Sequence, residues 1–230
     1  MDVDTQRKAA GERAAEFVEE GMVIGYGTGR GAAAALEALA RRKVRVRGVP
    51  TSRKTIELCR RLGLPLVSLE EQPILDLVID GADEVDPQRQ MIKGGGAALV
   101  REKLVALASR RRIIVVEESK LVPRLGTARP VPIELVAFGW GTTLARVSAI
   151  LPGALRRDGP LSDNSGVIAD APLPATADLR EIDRALKRLD GVVGHGLFLD
   201  LEPTVVVGGA SGVRVLDGGR GIDRRDRTIV

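Results

Sequence analysis

Residues 91–103 read MIKGGGAALVREK. Three consecutive glycines separate Lys93 from an apolar run that carries Glu102. Glycine loses more backbone freedom on folding than any other residue, so a run of three marks a place where the main chain turns sharply or lies bare against something. The flanks decide what kind of fold holds it. Upstream, ILDLVID (74–80) is apolar enough for a central strand buried on both faces, and it runs into the acidic turn DGADEVD (80–86). Downstream, the periodicity predicts a helix over 97–109, and RIIVVEE (112–118) reads as the next strand. Strand, glycine loop, helix and strand make one unit of a mainly parallel sheet.

The same alternation extends toward the N-terminus. A helix is expected over about 6–19, with Ala10, Ala14, Phe17 and Val18 on one face. MVIGY (22–26) reads as a short strand, followed by a glycine loop and an alanine-rich helix over 31–41. VRVRGV (44–49) is a strand, SRKTIELCRRLG (52–63) a helix closed by Gly63, and PLVSL (65–69) a further strand. Near residue 127 the texture changes: TARPVPIELVAFGW (127–140) carries two prolines and reads as extended. Helices are predicted over 142–150 and 178–189, and strands over 154–157, 166–169 and 192–198. PTVVVGGASGVRVL (203–216) returns to the first unit, and the glycine- and arginine-rich tail, 217–230, is expected to be mobile. The expected fold class is α/β, a doubly wound, mainly parallel sheet with glycine-rich loops at strand ends, plus a small α+β subdomain. Residues 1–126 with 204–230 are expected to form the Rossmann-like catalytic domain, and 127–203 the subdomain with its antiparallel sheet.

The 230-residue chain is 44% hydrophobic and 29% charged, the balance of a soluble globular protein. No apolar run approaches the ~20 residues of a membrane span, and the charged start MDVDTQRKAAGERAAEF lacks a signal-peptide block. The lone cysteine, Cys59, excludes an internal disulfide and fits a reducing, cytoplasmic setting. Net charge is only +4, and the aromatic residues are Phe17, Tyr26, Phe138, Trp140 and Phe198. The basic clusters Arg41-Arg42-Lys43 and Arg110-Arg111-Arg112 fall where helices are expected to end and where cations complement the helix dipole. Neither nucleic acid nor a membrane is an expected partner.

In an open α/β sheet, ligands bind beyond the carboxyl ends of the strands. GYGTGRGAA (25–33) places Gly27, Gly29 and Gly31 where backbone N–H groups can face an anion at the start of a helix. The same stretch matches a dinucleotide pattern with Ala32 in the last place. That pattern expects an acid about 20 residues on, but the chain offers Arg45, Arg47, Arg53 and Lys54, which leaves an NADP-dependent oxidoreductase open. In TSRKT (51–55), Thr51 or Ser52 reads equally as a helix N-cap. DGADEVD sets four carboxylates in seven residues, which at a strand end is either a solvated turn or a costly arrangement with a purpose. In the 97–109 helix, apolar spacing makes Val100, Leu104 and Leu107 the buried stripe and turns Glu102 to the surface. Position argues the other way, because Glu102 lies within two turns of the glycine loop. Asp80, Asp83, Lys93 and Glu102 then form a set for proton transfer, in which a carboxylate takes a proton from carbon beside a carbonyl while a lysine and backbone N–H groups hold the developing oxygen anion. His195 is the only histidine and reads as structural; no Ser-His-Asp system or zinc-ligand spacing is found.

DLVIDGADEVD, MIKGGGAALVREK and VVEESK, with GYGTG, TSRKTIEL, LGLPL, SDNSGVIAD and GVVGHGLF in order and spacing, resemble the ribose-5-phosphate isomerase family, type A, over about residues 8–215. The resemblance implies interconversion of ribose 5-phosphate and ribulose 5-phosphate, in the non-oxidative pentose phosphate pathway, with no metal or organic cofactor. It implies Glu102 as the base working between C1 and C2, and Asp80 and Asp83 at ring opening and at the hydroxyl protons. Lys93 and the amides of Gly94, Gly95 and Gly96 are implied at the enediolate. Thr28, Gly29, Arg30, Gly31 and Lys120 are implied at the phosphate or sugar, with Gly81 and Ala82 beside them. The family usually carries Ser-Thr after GTG, where this chain has Arg30-Gly31. An arginine there offers a charge-assisted bidentate contact, or else a changed substrate preference. A basic residue near the N-terminus also belongs to this site in the family, and Arg7 and Lys8 both fit that description. A homodimer or homotetramer is implied as well. Two other readings stay open: a non-catalytic sugar-phosphate-binding domain, against which it counts that no preceding DNA-binding unit is expected, and the NADP-dependent oxidoreductase.

Overall fold

The computed structural model describes residues 1–217; the remainder of the tail read as mobile, 218–230, lies outside the described residues. Helix α1 (Val3–Ala15) begins earlier than the apolar pattern indicates, because Asp2 caps it by accepting from the Thr5 amide. There follow β1 (Val23–Tyr26), α2 (Arg30–Arg42), β2 (Arg47–Pro50), α3 (Arg53–Leu62) and β3 (Leu75–Asp80). Two short strands, β4 (Glu84–Val85) and β5 (Met91–Ile92), lead to α4 (Leu99–Ala108) and β6 (Ser109–Glu117). After a single 3-10 turn at Glu118–Lys120 come β7 (Val131–Leu135), α5 (Trp140–Ile150), β8 (Leu155–Arg156), β9 (Val167–Ala171), α6 (Leu179–Lys187), β10 (Val192–His195) and β11 (Leu197–Phe198). Strands β12 (Thr204–Gly209) and β13 (Gly212–Leu216) end the described chain.

The main sheet has the order β13-β12-β6-β3-β1-β2. Its last five strands are parallel, and β13 folds back antiparallel on β12. From β1 the chain steps to β2 on one side and to β3 on the other. The loops leaving β1 and β3 therefore diverge, and a crevice opens between them at the carboxyl ends of the strands. A second, antiparallel sheet runs β10-β7-β9-β8, and a third, of three short strands, runs β11-β5-β4.

Alternation along the central strands feeds two faces. Leu77, Ile79, Ile113 and Val115 pack with Ala10 of α1 and with Leu36 and Leu39 of α2, while Val78 meets Val105 and Ala106 of α4 on the other side. Each fully buried branched side chain contributes about 1.5–3 kcal/mol of transfer free energy, and β3 is buried along nearly its whole length. This fixes Asp80, its last residue, at the floor of the crevice. No helix among the described residues is long and apolar enough to cross a membrane.

Several expectations change. VRVRGV pairs only from Arg47, and PLVSL makes an isolated bridge from Leu66 to Gly48 rather than a strand. Arg110 to Arg112 lie inside β6, not at a helix end. The strand read over 192–198 breaks at Gly196, leaving β10 in the antiparallel sheet and β11 beside β5. Helix α4 departs most. It buries Leu99, Glu102, Val105 and Ala106, whereas Leu104 and Leu107 are 53% and 55% exposed. The stripe inferred from apolar spacing faces outward, because the helix turns its glutamate into the crevice. At the other side of the crevice, a Cβ added at Gly27 meets Asp80 Oδ1 and the Ile79 carbonyl at 2.4 Å. Gly27→Ala is expected to cost about 1–3 kcal/mol through forced backbone shifts, seen as a lower urea midpoint; an unchanged midpoint contradicts so close an approach.

Candidate active site

Lys93 follows β5 directly and is only 2% exposed. Its ammonium lies 3.0 Å from Asp80 Oδ2 and 2.9 Å from Glu102 Oε1, and it also donates to the Gly81 carbonyl. Asp80 uses its other oxygen, Oδ1, to accept the amides of Thr28 (3.0 Å) and Gly81 (2.8 Å). One carboxylate thus ties the loop after β1 to the loop after β3 and faces the lysine as well. Glu102 sits in the first turn of α4, 4% exposed, and its second oxygen, Oε2, is buried without a hydrogen-bond partner. Burial raises the Glu102 carboxyl to about 8, with Lys93 pulling it down and Asp80 pushing it up. For Lys93, burial disfavours the charged form, but the attraction of Asp80 and Glu102 outweighs it and leaves the ammonium above its ordinary range. Within the cluster, Glu102 is thus the carboxylate whose affinity for a proton is raised.

The glycine run wraps this cluster. The Gly95 amide donates to Asp83 Oδ2 at 2.7 Å, and a Cβ on Gly95 meets that carboxylate at 2.8 Å, so the main chain has to be bare there. A cavity of about 330 Å3 opens above. Thr28, Gly29, Arg30, Gly31, Gly81, Ala82, Asp83, Lys93, Gly94, Gly95, Gly96, Glu102 and Lys120, all named from the sequence, line it together. Asp80, 1% exposed, lies behind its wall and reaches it through Lys93. The Thr28 hydroxyl turns the other way, to Thr51, Ser52 and Thr55 at 2.7, 2.8 and 3.0 Å, and Ser52 is also the N-cap of α3.

The far end of the cavity is cationic. Helix α2 starts there with no side-chain cap, beside Arg30, and Lys120 stands on the same lining, near enough to Glu117 to help lower its carboxyl. Uncapped helix amides with Arg30 and Lys120 beside them suit an oxyanion such as phosphate. Of the two basic residues left open near the N-terminus, Arg7 lines the cavity; it is held by Glu117 at 3.1 and 2.9 Å. Burial works to raise the Glu117 carboxyl, and Arg7 more than offsets it, so Glu117 stays ionised. Sequence reasoning missed Glu117, although it closes an apolar strand three residues before Lys120. Arg53, offered for a dinucleotide phosphate, is instead engaged by Asp163, with its amide 2.7 Å from Oδ2. His195 lies apart, its Nε2 3.3 Å from Asp183, and burial pushes it down to about 3, so it is neutral. Among the described residues no group of three His, Cys, Asp or Glu side chains is placed to hold a metal ion.

Buried carboxylates beside a lysine, with a cationic far end, suit acid–base work on a small anion. A family model described as ribose 5-phosphate isomerase A (phosphoriboisomerase A) matches residues 47–212. The ribose-5-phosphate isomerase A of Caulobacter sp. (strain K31) is 46% identical over 222 residues, covering 93% of this chain and 98% of that protein. A D-ribose-5-phosphate isomerase solved in complex with phospho-erythronic acid superposes with a TM-score of 0.89 at 36% identity, over 94% of this chain and 100% of that one. The isomerase from Methanocaldococcus jannaschii gives 0.88 at 32% identity, over 93% and 98%. This chain belongs to the ribose 5-phosphate isomerase A family.

The cluster makes a prediction of its own. Lys93→Met leaves Asp80 and Glu102 buried without their cation and is expected to cost about 3–5 kcal/mol at neutral pH. The penalty shrinks as the pH falls, because protonation removes the unpaired charges. Urea unfolding of both proteins at pH 8 and pH 5 checks it; a loss that is small or grows with acid contradicts the assignment.

Proposed function

We propose that this isomerase interconverts ribose 5-phosphate and ribulose 5-phosphate through an enediolate, with Glu102 carrying the proton between C2 and C1. The observation that carries this reading is Glu102 Oε2, a buried carboxylate oxygen at the wall of the cavity with no protein partner. An unpaired buried polar atom is costly, and a substrate group brought into the cavity gives this oxygen a partner. Asp83, which lines the cavity, acts at ring opening and gives the open-chain aldehyde, with Asp80 contributing from behind the wall through Lys93. Glu102 takes the C2 proton, the C–H electron pair becomes the C1–C2 double bond, and the carbonyl electrons move to O1. The Lys93 ammonium and the glycine amides meet that oxygen anion as it forms. The reverse shift returns the proton to C1, the O2 hydroxyl gives up its proton as the C2 carbonyl forms, and O1 takes one. No atom is gained or lost overall.

The phosphate occupies the other end, at Arg30, the Gly31 amide and Lys120. Phospho-erythronic acid, held by the solved relative, pairs a phosphate with a carboxylate. On this reading it is a ligand for both ends of the cavity here. Family membership supports placing the chain in the non-oxidative pentose phosphate pathway, in the cytoplasm and as a homodimer or homotetramer. The outward Leu104 and Leu107 are compatible with such an assembly. The parallel sheet is read as the Rossmann-like catalytic unit and 127–203 as its subdomain.

Glu102→Gln is expected to keep the fold and lower kcat by at least ~10², the low end of a general-base contribution. In the parent, kcat/KM should fall as the pH drops through the raised Glu102 value, near 8, because the base must be ionised. Steady-state assays of ribose 5-phosphate from pH 5 to 9 check both; near-parental turnover in the variant removes Glu102 from the role.

A further inference from the structure

Arg157 approaches the glycine run from the antiparallel sheet. It follows β8 directly, and the pairing of Leu155 with Asp170 and of Arg156 with Ala169 on β9 sets its direction. Its Nε and Nη2 form a fork to the Asp170 carboxylate at 2.7 and 2.5 Å. Its Nη1 then donates to two successive main-chain carbonyls, those of Gly94 and Gly95, both at 3.1 Å. The side chain is 24% exposed and touches none of the catalytic carboxylates.

In a trans peptide the carbonyl and the following N–H point in opposite directions. Holding the Gly94 carbonyl therefore aims the Gly95 N–H away from Arg157, where it meets Asp83 Oδ2 at 2.7 Å. Holding the Gly95 carbonyl aims the Gly96 N–H the same way. Gly96 lines the cavity, and its amide has no protein acceptor among the described residues. The Gly94 carbonyl is also held within the run by the Ala97 amide at 3.0 Å, whereas the Gly95 carbonyl, which sets the Gly96 N–H, is met by Arg157. A guanidinium on both carbonyls also polarises the two amides and strengthens them as donors.

We infer that Arg157, anchored by Asp170, is a positioning residue for the reaction, orienting and polarising the 94–96 peptides so that the free Gly96 N–H faces the developing O1 anion. The inference rests on the proton-transfer reading of the site. It assigns the antiparallel sheet a part in turnover rather than in stability alone. The contribution appears in kcat, because the anion exists only after the substrate has bound.

The test compares the parent, Arg157→Ala, Arg157→Lys, Asp170→Asn and Glu102→Gln, each assayed with ribose 5-phosphate and titrated with inorganic phosphate and with phospho-erythronic acid. Arg157→Ala should lose about tenfold or more in kcat, below the 10²–10³ of deleting one oxyanion donor outright. KM and inorganic-phosphate affinity should stay within about twofold of the parent, while phospho-erythronic acid binds more weakly, since its carboxylate probes the same amide. Added guanidinium ion should restore part of the activity, and Arg157→Lys should lie between parent and alanine variant. If Arg157→Ala does not fold, Asp170→Asn, which keeps the guanidinium but frees it, is read by the same split. A kcat within twofold of the parent overturns the proposal. So does a joint decline of kcat, phosphate affinity and folded fraction. If Glu102→Gln keeps its turnover, the proton-transfer reading fails and this proposal falls with it. If Glu102→Gln collapses while the Arg157 and Asp170 variants are unaffected, only the role of Arg157 is lost.

Discussion

The ammonium of Lys93, held between Asp80 and Glu102, sets the terms for the surrounding structure. A charge this deeply buried persists only with ionised partners at contact distance, and each partner is itself costly to bury alone. The three groups come from β3, from the end of β5 and from α4. The main sheet, the short three-stranded sheet and the helix over them must therefore be fixed relative to one another before the charges balance. Many of the close approaches follow from this. Gly27 is bare because Asp80 presses against it, and Gly95 because Asp83 does. Two carboxylates face the one cation, and burial raises the Glu102 carboxyl despite it.

The second sheet is part of the same construction. Arg157 reaches the glycine run, while Arg101, next to Glu102, donates to Asn164 and to the Asp163 carbonyl. Asp163 in turn accepts the amide of Arg53 at the start of α3, whose cap Ser52 meets the Thr28 hydroxyl. The SDNSG turn, 162–166, so clasps α3 and α4 from outside. Inside its own sheet it is held by Glu134, fully buried, which accepts from Ser162 and Asn164. Charged and hydroxyl groups make up these links, which gives them direction as well as strength.

The parallel part of this fold was legible because β1, β3 and β6 are apolar runs separated by helices, and their carboxyl ends carry the glycines and acids. Legibility failed where a residue obeys the cluster rather than its own element. Apolar spacing predicts that a helix buries its leucines, but α4 buries Glu102 and leaves Leu104 and Leu107 outside. Strands β4, β5 and β11 are two residues each, too short for any periodicity, and β11 separates from β10 only because Gly196 passes close to the Lys93 carbonyl. Glu117 and Arg157 were invisible for a further reason. Each meets the site across a long stretch of chain, Glu117 through Arg7 and Arg157 through the 94–95 carbonyls, and neither separation leaves a local pattern.

The central claim is that a carboxylate lifts a proton from carbon and returns it to the neighbouring carbon. The most direct measurement is proton NMR of ribose 5-phosphate brought to equilibrium with this protein in D2O. Deuterium should enter at C2 of the aldose and at C1 of the ketose, because the proton held on Glu102 exchanges with solvent over repeated turnovers. Equilibration over many turnovers with no deuterium at either position would contradict an exchangeable proton carried by Glu102.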